Sequence, residues 1–293
     1  MSIIYVTESQ ANISTEENRI VMDNGEGLKQ SFPIESVEGI TFLSRAHISV
    51  ACMEKCLHLG ILVSFMSKGG HYFGRLLSTG HINAELQREQ SKLYNTEFSL
   101  NFSKIIIYAK VKNQLTVLRR YAKSKSVDIS EHRRNICAII PKITNAQNIQ
   151  ELMGYEGQCA KLYFSGLSRC IEEKFAFKGR NRRPPKDPFN SLISLGYTIL
   201  MNEIYNEIEN KGLNPYFGFM HQDHEKHPTL ASDMLEEWRA VIVDSIAMSL
   251  INGHELLEEH PVTFRRAIAL QTARLANAIT EGDASIYEPL VIR

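Results

Sequence analysis

Glu156 is the first residue whose chemistry stands out. The run 146–175 has helical spacing, and Leu152, Cys159, Ala160, Tyr163, Leu167 and Cys170 share one apolar stripe with Glu156 in its middle. A carboxylate there has to be ion-paired, protonated or bound to a cation, because burying the bare charge is too costly. A second group lies in G-F-M-H-Q-D-H-E-K-H-P-T-L-A-S-D-M-L-E-E-W-R, residues 218–239. His221, Asp223, His224 and His227 occupy a loop, and a helix follows with Thr229 as its expected N-cap. Met234, Leu235, Trp238, Val241 and Ile242 form its apolar face, and Asp233, Glu236, Glu237 and Ala240 share the other side. Those acids are either a solvated face or ligands. An imidazole joined to carboxylates from two helices is an oxygen-rich donor set that suits Mg²⁺ or Mn²⁺ better than zinc.

The third segment runs R-R-P-P-K-D-P-F-N-S-L-I-S-L-G-Y-T-I-L from Arg182 to Leu200. Pro184 and Pro185 force an extended lead-in. Asp187 followed by Pro188 is the cap and first turn of a helix. Asn190, Ser194 and Tyr197 then recur at i, i+4 and i+7, a polar stripe on an otherwise apolar helix. An arginine-rich entry to a helix N-terminus suits phosphate, although capping and helix packing alone would also account for it.

The elements that position these residues fall into two regions. Short runs around Ile3, Ile13, Arg19–Asp23 and Ile34–Phe42 suggest strands, with Asn24-Gly25 as a hairpin-type turn. His47 to Leu59 has helical spacing stopped by Gly60, and strands are expected from Ile61 and from Tyr72. Beyond residue 90 the pattern is helical: about 88–123, 130–140, 146–175, 188–210, 229–251 and 261–281. The fold class expected is α+β, with a small β-rich N-terminal domain (1–87) and a larger all-α C-terminal domain (88–293).

Bulk composition sets limits. With 43% hydrophobic and 23% charged residues, the chain is an ordinary globular protein. Its five cysteines are odd in number and form no C-x-x-C pair, which points away from a disulfide framework and towards a reducing compartment. The start lacks a basic signal-peptide region, and no apolar run approaches a membrane span, so a cytoplasmic location without membrane attachment is expected. Net charge is zero, 33 basic against 33 acidic residues, yet it is unevenly spread. Residues 101–140 carry nine Lys or Arg against two acids, a net of +7, and 174–186 carry six and no acid. Residues 202–237 reverse the sign, with eight acids against two lysines, a net of −6. Basic blocks beside an acidic one are solvated faces or a phosphate-binding surface around a cation site.

Taken together, E-G-Q-C-A-K-L-Y-F (156–164), R-R-P-P-K-D-P-F-N-S-L-I-S-L-G-Y (182–197), and G-F-M-H followed by S-D-M-L-E-E-W-R (218–221, 232–239) resemble the CRISPR adaptation integrases, the larger subunit of the spacer-acquisition machinery. The resemblance runs over nearly the whole chain. It implies a metal-dependent DNA endonuclease and integrase of antiviral defence, which inserts spacers into CRISPR arrays by transesterification. Among the open candidates it selects Glu156, His221 and Glu236 as catalytic residues and ligands of Mg²⁺ or Mn²⁺, with Asp233, Asn190 and Tyr197 in support. DNA, both the incoming spacer and the CRISPR repeat, would be held by Arg180, Arg182, Arg183, Lys104, Lys110, Lys112, Arg119 and Arg120. It further implies a homodimer formed through the N-terminal β domains, and a partnership with the small second CRISPR-associated protein. The chemistry needs no protein nucleophile, in keeping with the lack of a Ser-His-Asp or Cys-His pattern. The alternatives are a DNA-binding scaffold whose acids are ion pairs, or a small phosphodiester hydrolase using His221, Asp223, His224 and His227.

Overall fold

Alternating apolar residues over the first 76 positions build strands β1 (Ser2–Val6), β2 (Asn12–Glu16), β3 (Arg19–Asp23), β4 (Lys29–Pro33), β5 (Val37–Phe42), β6 (His47–Ile48), β7 (Leu62–Met66) and β8 (Tyr72–Leu76). The structure is a computed structural model. It describes all residues except 1, 26, 28, 68–71, 77, 79–81, 182–183, 254–259 and 293, and the backbone only at 2 and 260–266. The strands form two four-stranded sheets, ordered β1-β5-β7-β8 and β4-β3-β2-β6. In the first, β1, β5 and β7 are parallel and β8 closes the edge antiparallel. Parallel β5 and β7 need a crossover, supplied by helix α1 (Val50–Leu59). Ser49 caps it, and Gly60 ends it in the left-handed conformation with φ +69°. At the tip after β3, Gly25 takes φ +73° and its N–H donates to Asp23 Oδ1 at 2.8 Å. Val6, Ile13, Ile20, Ile40, Cys52 and Val63 fill the core of this unit, which spans Met1–His81.

The second unit, Ile82–Arg293, is helical. It begins earlier than residue 88, because Asn83 accepts from Leu86 N–H and starts α2 at Ala84 (Ala84–Lys92). The helix expected over 88–123 is interrupted: Asn95 adopts φ +55°, and α3 (Glu97–Ser124) starts afresh. There follow α4 (Ser130–Asn145), α5 (Ile149–Ser168), α6 (Pro188–Asn210), α7 (Thr229–Trp238), a π-helical segment (Arg239–Asp244), α8 (Ser245–Ile251) and α9 (His260–Glu281). The α+β class and its order along the chain hold. Asp187 caps α6 as its sequence predicts, accepting from Asn190 N–H at 2.7 Å. Helix α5 is shorter than 146–175, since Asn148 caps it and it closes at Ser168.

Helix α3 is central and packs against α4, α5 and α7. The segment after α9 returns to strap α3 to α7. Asn113 of α3, fully buried, donates to Glu237 O at 3.0 Å and Leu290 O at 2.8 Å, and accepts from Ile292 N–H at 2.9 Å. From α7, the Glu237 carboxylate accepts from Tyr287 OH at 2.7 Å and Leu290 N–H at 3.0 Å. Removing three buried hydrogen bonds at once is a large loss at roughly 1 kcal/mol each. Asn113→Ala should therefore lower stability by about 3 kcal/mol in urea unfolding; a loss under ~1 kcal/mol would show that the strap closes without it.

Candidate functional site

Along α3 the buried positions include Ser103, Ile106, Ile107, Lys110, Val111 and Gln114, so helical spacing points Lys110 inward. Only 4% of the residue is exposed. Its ammonium pairs with Glu156 Oε1 from α5 and with Glu236 Oε2 from α7, the latter at 2.5 Å. The expectation that Lys110 grips a DNA backbone is thus corrected, since a side chain on the buried stripe of α3 does not present its charge on the surface. The ion pair that Glu156 requires is made with this lysine.

Every residue of α7 is buried, so its acids are not a solvated face. Each has a different task. Asp233 holds the loop before the helix: Oδ2 accepts from Phe219 N–H (2.6 Å) and Met220 N–H (3.0 Å), and Oδ1 from His221 N–H (3.0 Å). The same Oδ1 lies 2.7 Å from His221 Nδ1. Glu236 faces Lys110, and Glu237 holds the strap. Thr229 is not the cap; Pro228 stands there, and the Thr229 hydroxyl accepts from Gly218 N–H at 2.9 Å and donates to Tyr216 O at 2.6 Å. Gly218 is required by close approach, as a Cβ would come within 2.7 Å of the Thr229 backbone. The G-F-M-H loop is thereby pressed onto the start of α7, and His221 is aimed at Glu236.

His221 Nε2 lies 3.8 Å from Glu236 Oε1, which Arg239 Nη2 approaches to 3.2 Å. Burial opposes the charged forms here, but the neighbours prevail. Against its own burial, Glu236 is held down to about 2 by Arg239, Lys110 and His221. His221 is half-buried, and against that desolvation its hydrogen bond to Asp233, with the charges of Asp233 and Glu236, raises its pKa. Burial likewise opposes the Lys110 ammonium, and the two glutamates outweigh it.

The structure thus brings Glu156 and Glu236 together at the Lys110 ammonium, and places His221, with Asp233 behind the imidazole, beside the other oxygen of Glu236. Among the described residues, no three His, Cys, Asp or Glu side chains are placed to hold a metal as they stand; the two glutamates flank an ammonium instead. The donor set nevertheless fits a divalent cation. The lysine marks a cation position between two carboxylates, and its ammonium is what faces buried Glu236 Oε2, at 2.5 Å. His221 carries a carboxylate on Nδ1, the arrangement that orients a ligating Nε2. His224 is exposed, and His227 turns to Ser232 Oγ at 3.0 Å.

The stripe on α6 is drawn together by one arginine. Arg180 donates to Asn190 Oδ1 (2.9 Å) and Ser194 Oγ (3.0 Å) and lies over the Tyr197 ring at 5.4 Å. Asn190 also donates to Gly179 O at 3.0 Å, pinning the loop before the helix. Arg239 lies 5.0 Å from the same tyrosine ring. Tyr197 OH donates to Asp244 Oδ1 at 2.5 Å, and Tyr163 OH donates to its Oδ2 at 3.0 Å. Sequence reasoning missed Lys110, Arg239 and Asp244 as parts of this network. Of the other expected DNA contacts, Lys104 and Lys112 are half-buried, and Arg119 and Arg120 are exposed. These two line a concavity of about 690 Å³ with Lys123 and Arg133. Arg182 and Arg183 lie outside the described residues.

The sequence matches the family described as CRISPR associated protein Cas1 over residues 4–281. It is 35% identical over 250 residues to the CRISPR-associated endonuclease Cas1 of Mycobacterium tuberculosis, covering 85% of this chain and 73% of that one. In structure it is similar to a casposase bound to its integration product, with TM-score 0.84 and 18% identity, covering 100% of this chain and 96% of that one. It is also similar to a chain of a Cas6-RT-Cas1–Cas2 complex, with TM-score 0.79 and 22% identity, covering 99% of this chain and 36% of that one.

Asp244 gives the buried network a pH signature. Burial, opposed by the two tyrosines and by Arg239, pushes its carboxyl up from 3.8 to about 6. Below the ordinary value both folded and unfolded chains hold this proton, and its stabilising contribution is complete. As pH rises from about 4 to about 6, folded chains keep a proton that unfolded chains release, and stability falls by about 3 kcal/mol through this group. Asp244→Asn should flatten that slope in urea unfolding between pH 4 and 7; parallel curves for the two proteins would place Asp244 at its ordinary value.

Proposed function

This chain belongs to the CRISPR-associated Cas1 family, and from that premise we propose that it is a divalent-cation-dependent DNA endonuclease and integrase that inserts spacers into a CRISPR array. The observation that carries the proposal is the meeting of Glu156 and Glu236 at one buried cation position, with an Asp233-oriented His221 3.8 Å from the other oxygen of Glu236. Glu156, His221 and Glu236 would hold Mg²⁺ or Mn²⁺, which stabilises charge on the pentacoordinate phosphorus when a 3′-hydroxyl displaces the 3′-oxygen of the phosphodiester it attacks. Asp233 fixes the imidazole and is not itself a ligand, because both its oxygens are engaged by backbone amides and Nδ1. Arg239 holds Glu236 and is itself steadied against Tyr197, while Arg180, Asn190 and Ser194 hold the loop that enters α6.

DNA would be held by its backbone, without sequence readout, and the concavity of Arg119, Arg120, Lys123 and Arg133 offers four cations for that purpose. Among the described residues none of the four makes an ion pair. The likeness to chains of a Cas1–Cas2 complex and of a casposase on its DNA product supports incoming and repeat DNA as substrates and the small Cas2 protein as a partner. A homodimer joined through the Met1–His81 unit, working in the cytoplasm, completes the proposal. No helix is long and apolar enough to cross a membrane among the described residues.

Glu156→Gln keeps the shape of the side chain and should reduce Mn²⁺-dependent strand transfer on the order of a hundredfold or more, with the circular dichroism spectrum unchanged. Full activity in that variant would remove Glu156 from the reaction. Arg119→Ala with Arg120→Ala should lower the slope of log affinity for duplex DNA against log salt by about 2, one phosphate contact for each arginine. A slope equal to that of the parent protein would turn this face away from the DNA.

A further inference from the structure

Lys110 stands at the centre of the carboxylate pair, not at its edge. Its ammonium touches one oxygen of Glu156 and one of Glu236, and among the described residues it is the sole ion-pair partner of Glu156. Glu236 Oε2 is buried, and among the described residues the Lys110 ammonium at 2.5 Å is what compensates it. The other cation, Arg239, reaches the opposite oxygen, Oε1, and is steadied against the ring of Tyr197. Two carboxylates and two cations are thus locally balanced. A divalent ion added beside an unmoved Lys110 would put two positive centres within a few ångströms, in a buried site where water and salt screen little. The flexible four-carbon stem of lysine offers a way out through side-chain rotation, while the helix that carries it stays packed.

We infer that Lys110 is the site's own counter-cation: it holds Glu156 and Glu236 together and has to withdraw for a divalent cation to take the same carboxylates, so that this side chain sets the affinity for metal. The inference rests on the proposed cation-dependent function. It makes Lys110 a positioning residue, and it separates two roles that a lysine in such a place could have. A supporting lysine would strengthen metal binding by ordering the ligands; a competing one weakens it.

Titration of the whole protein with Mn²⁺ by calorimetry distinguishes these. Lys110→Met and Lys110→Gln, which remove the charge at similar length, should bind Mn²⁺ at least about tenfold more tightly than the parent; Lys110→Arg should not bind more tightly. A second measurement uses the unaltered protein. Acylation of Lys110 by acetic anhydride, mapped by mass spectrometry, should rise severalfold when saturating Mn²⁺ is added, while acylation of exposed Lys123 stays constant. Equal or weaker binding in the neutral variants, or labelling of Lys110 that does not rise, would overturn the inference and leave the cation-dependent function standing. Failure of the folded parent and of both neutral variants to bind Mn²⁺ at all would overturn both.

Discussion

A single ammonium inside a helical unit constrains much of what surrounds it. Lys110 lies on the buried stripe of α3, and a charge in that position is tolerated only with opposite charges in contact. Glu156 meets it from α5 and Glu236 from α7, so the ion triad ties together three helices. Pairs of this kind add little net stability, because desolvation offsets most of the attraction. They do fix geometry. A shift of α5 or α7 by one turn would leave a buried charge alone, and the helices are confined to the arrangement in which the two carboxylates face each other.

The rest of the site keeps α7 in that register from both ends. At its start, Gly218 closes on Thr229, and Asp233 collects the amides of three successive loop residues. At its end, Glu237 and Asn113 hold the strap that crosses back over α3. Directly after α7 the chain widens into a π-helical segment, which changes the angular step between residues. Arg239 at its first position reaches Glu236, while Asp244 at its last receives two tyrosine hydroxyls. Positioning of one glutamate thus draws on residues from both flanks of a ten-residue helix.

How much of this could be read from the sequence depends on how local the determining chemistry is. Asp187 before Pro188 and Gly60 act within one turn of their own positions, and the ends they set were legible; the start of α1 was not, since His47–Ile48, expected as helix, pairs as β6 and Ser49 is the cap. Glu156 was legible as a misfit on an apolar stripe. Lys110 satisfied the same criterion on α3, but counted as one member of a basic run it read as surface charge. The break at 93–96 was hidden because apolar spacing continues across it, and a left-handed asparagine gives only a weak signal. The α7 acids could not be assigned by pattern. Asp233 and Glu237 are defined by partners 12 to 53 residues away, and a helix buried on all sides has no solvent face for periodicity to reveal.

The strap has a consequence for how the protein comes into being. Asn113 meets Ile292 across 179 positions, and Leu290 across 177. Chains fold from the N-terminal side as they are synthesised, and contacts of such long separation close late. Helices α3 to α7 can associate around Lys110 beforehand, but the buried carboxamide of Asn113 and the carboxylate of Glu237 stay unsatisfied until residues 287–292 arrive. In a growing polypeptide these two groups therefore lack those partners until residues 287–292 have been made. The order of synthesis thus sets the order in which these buried groups of α3 and α7 find their partners.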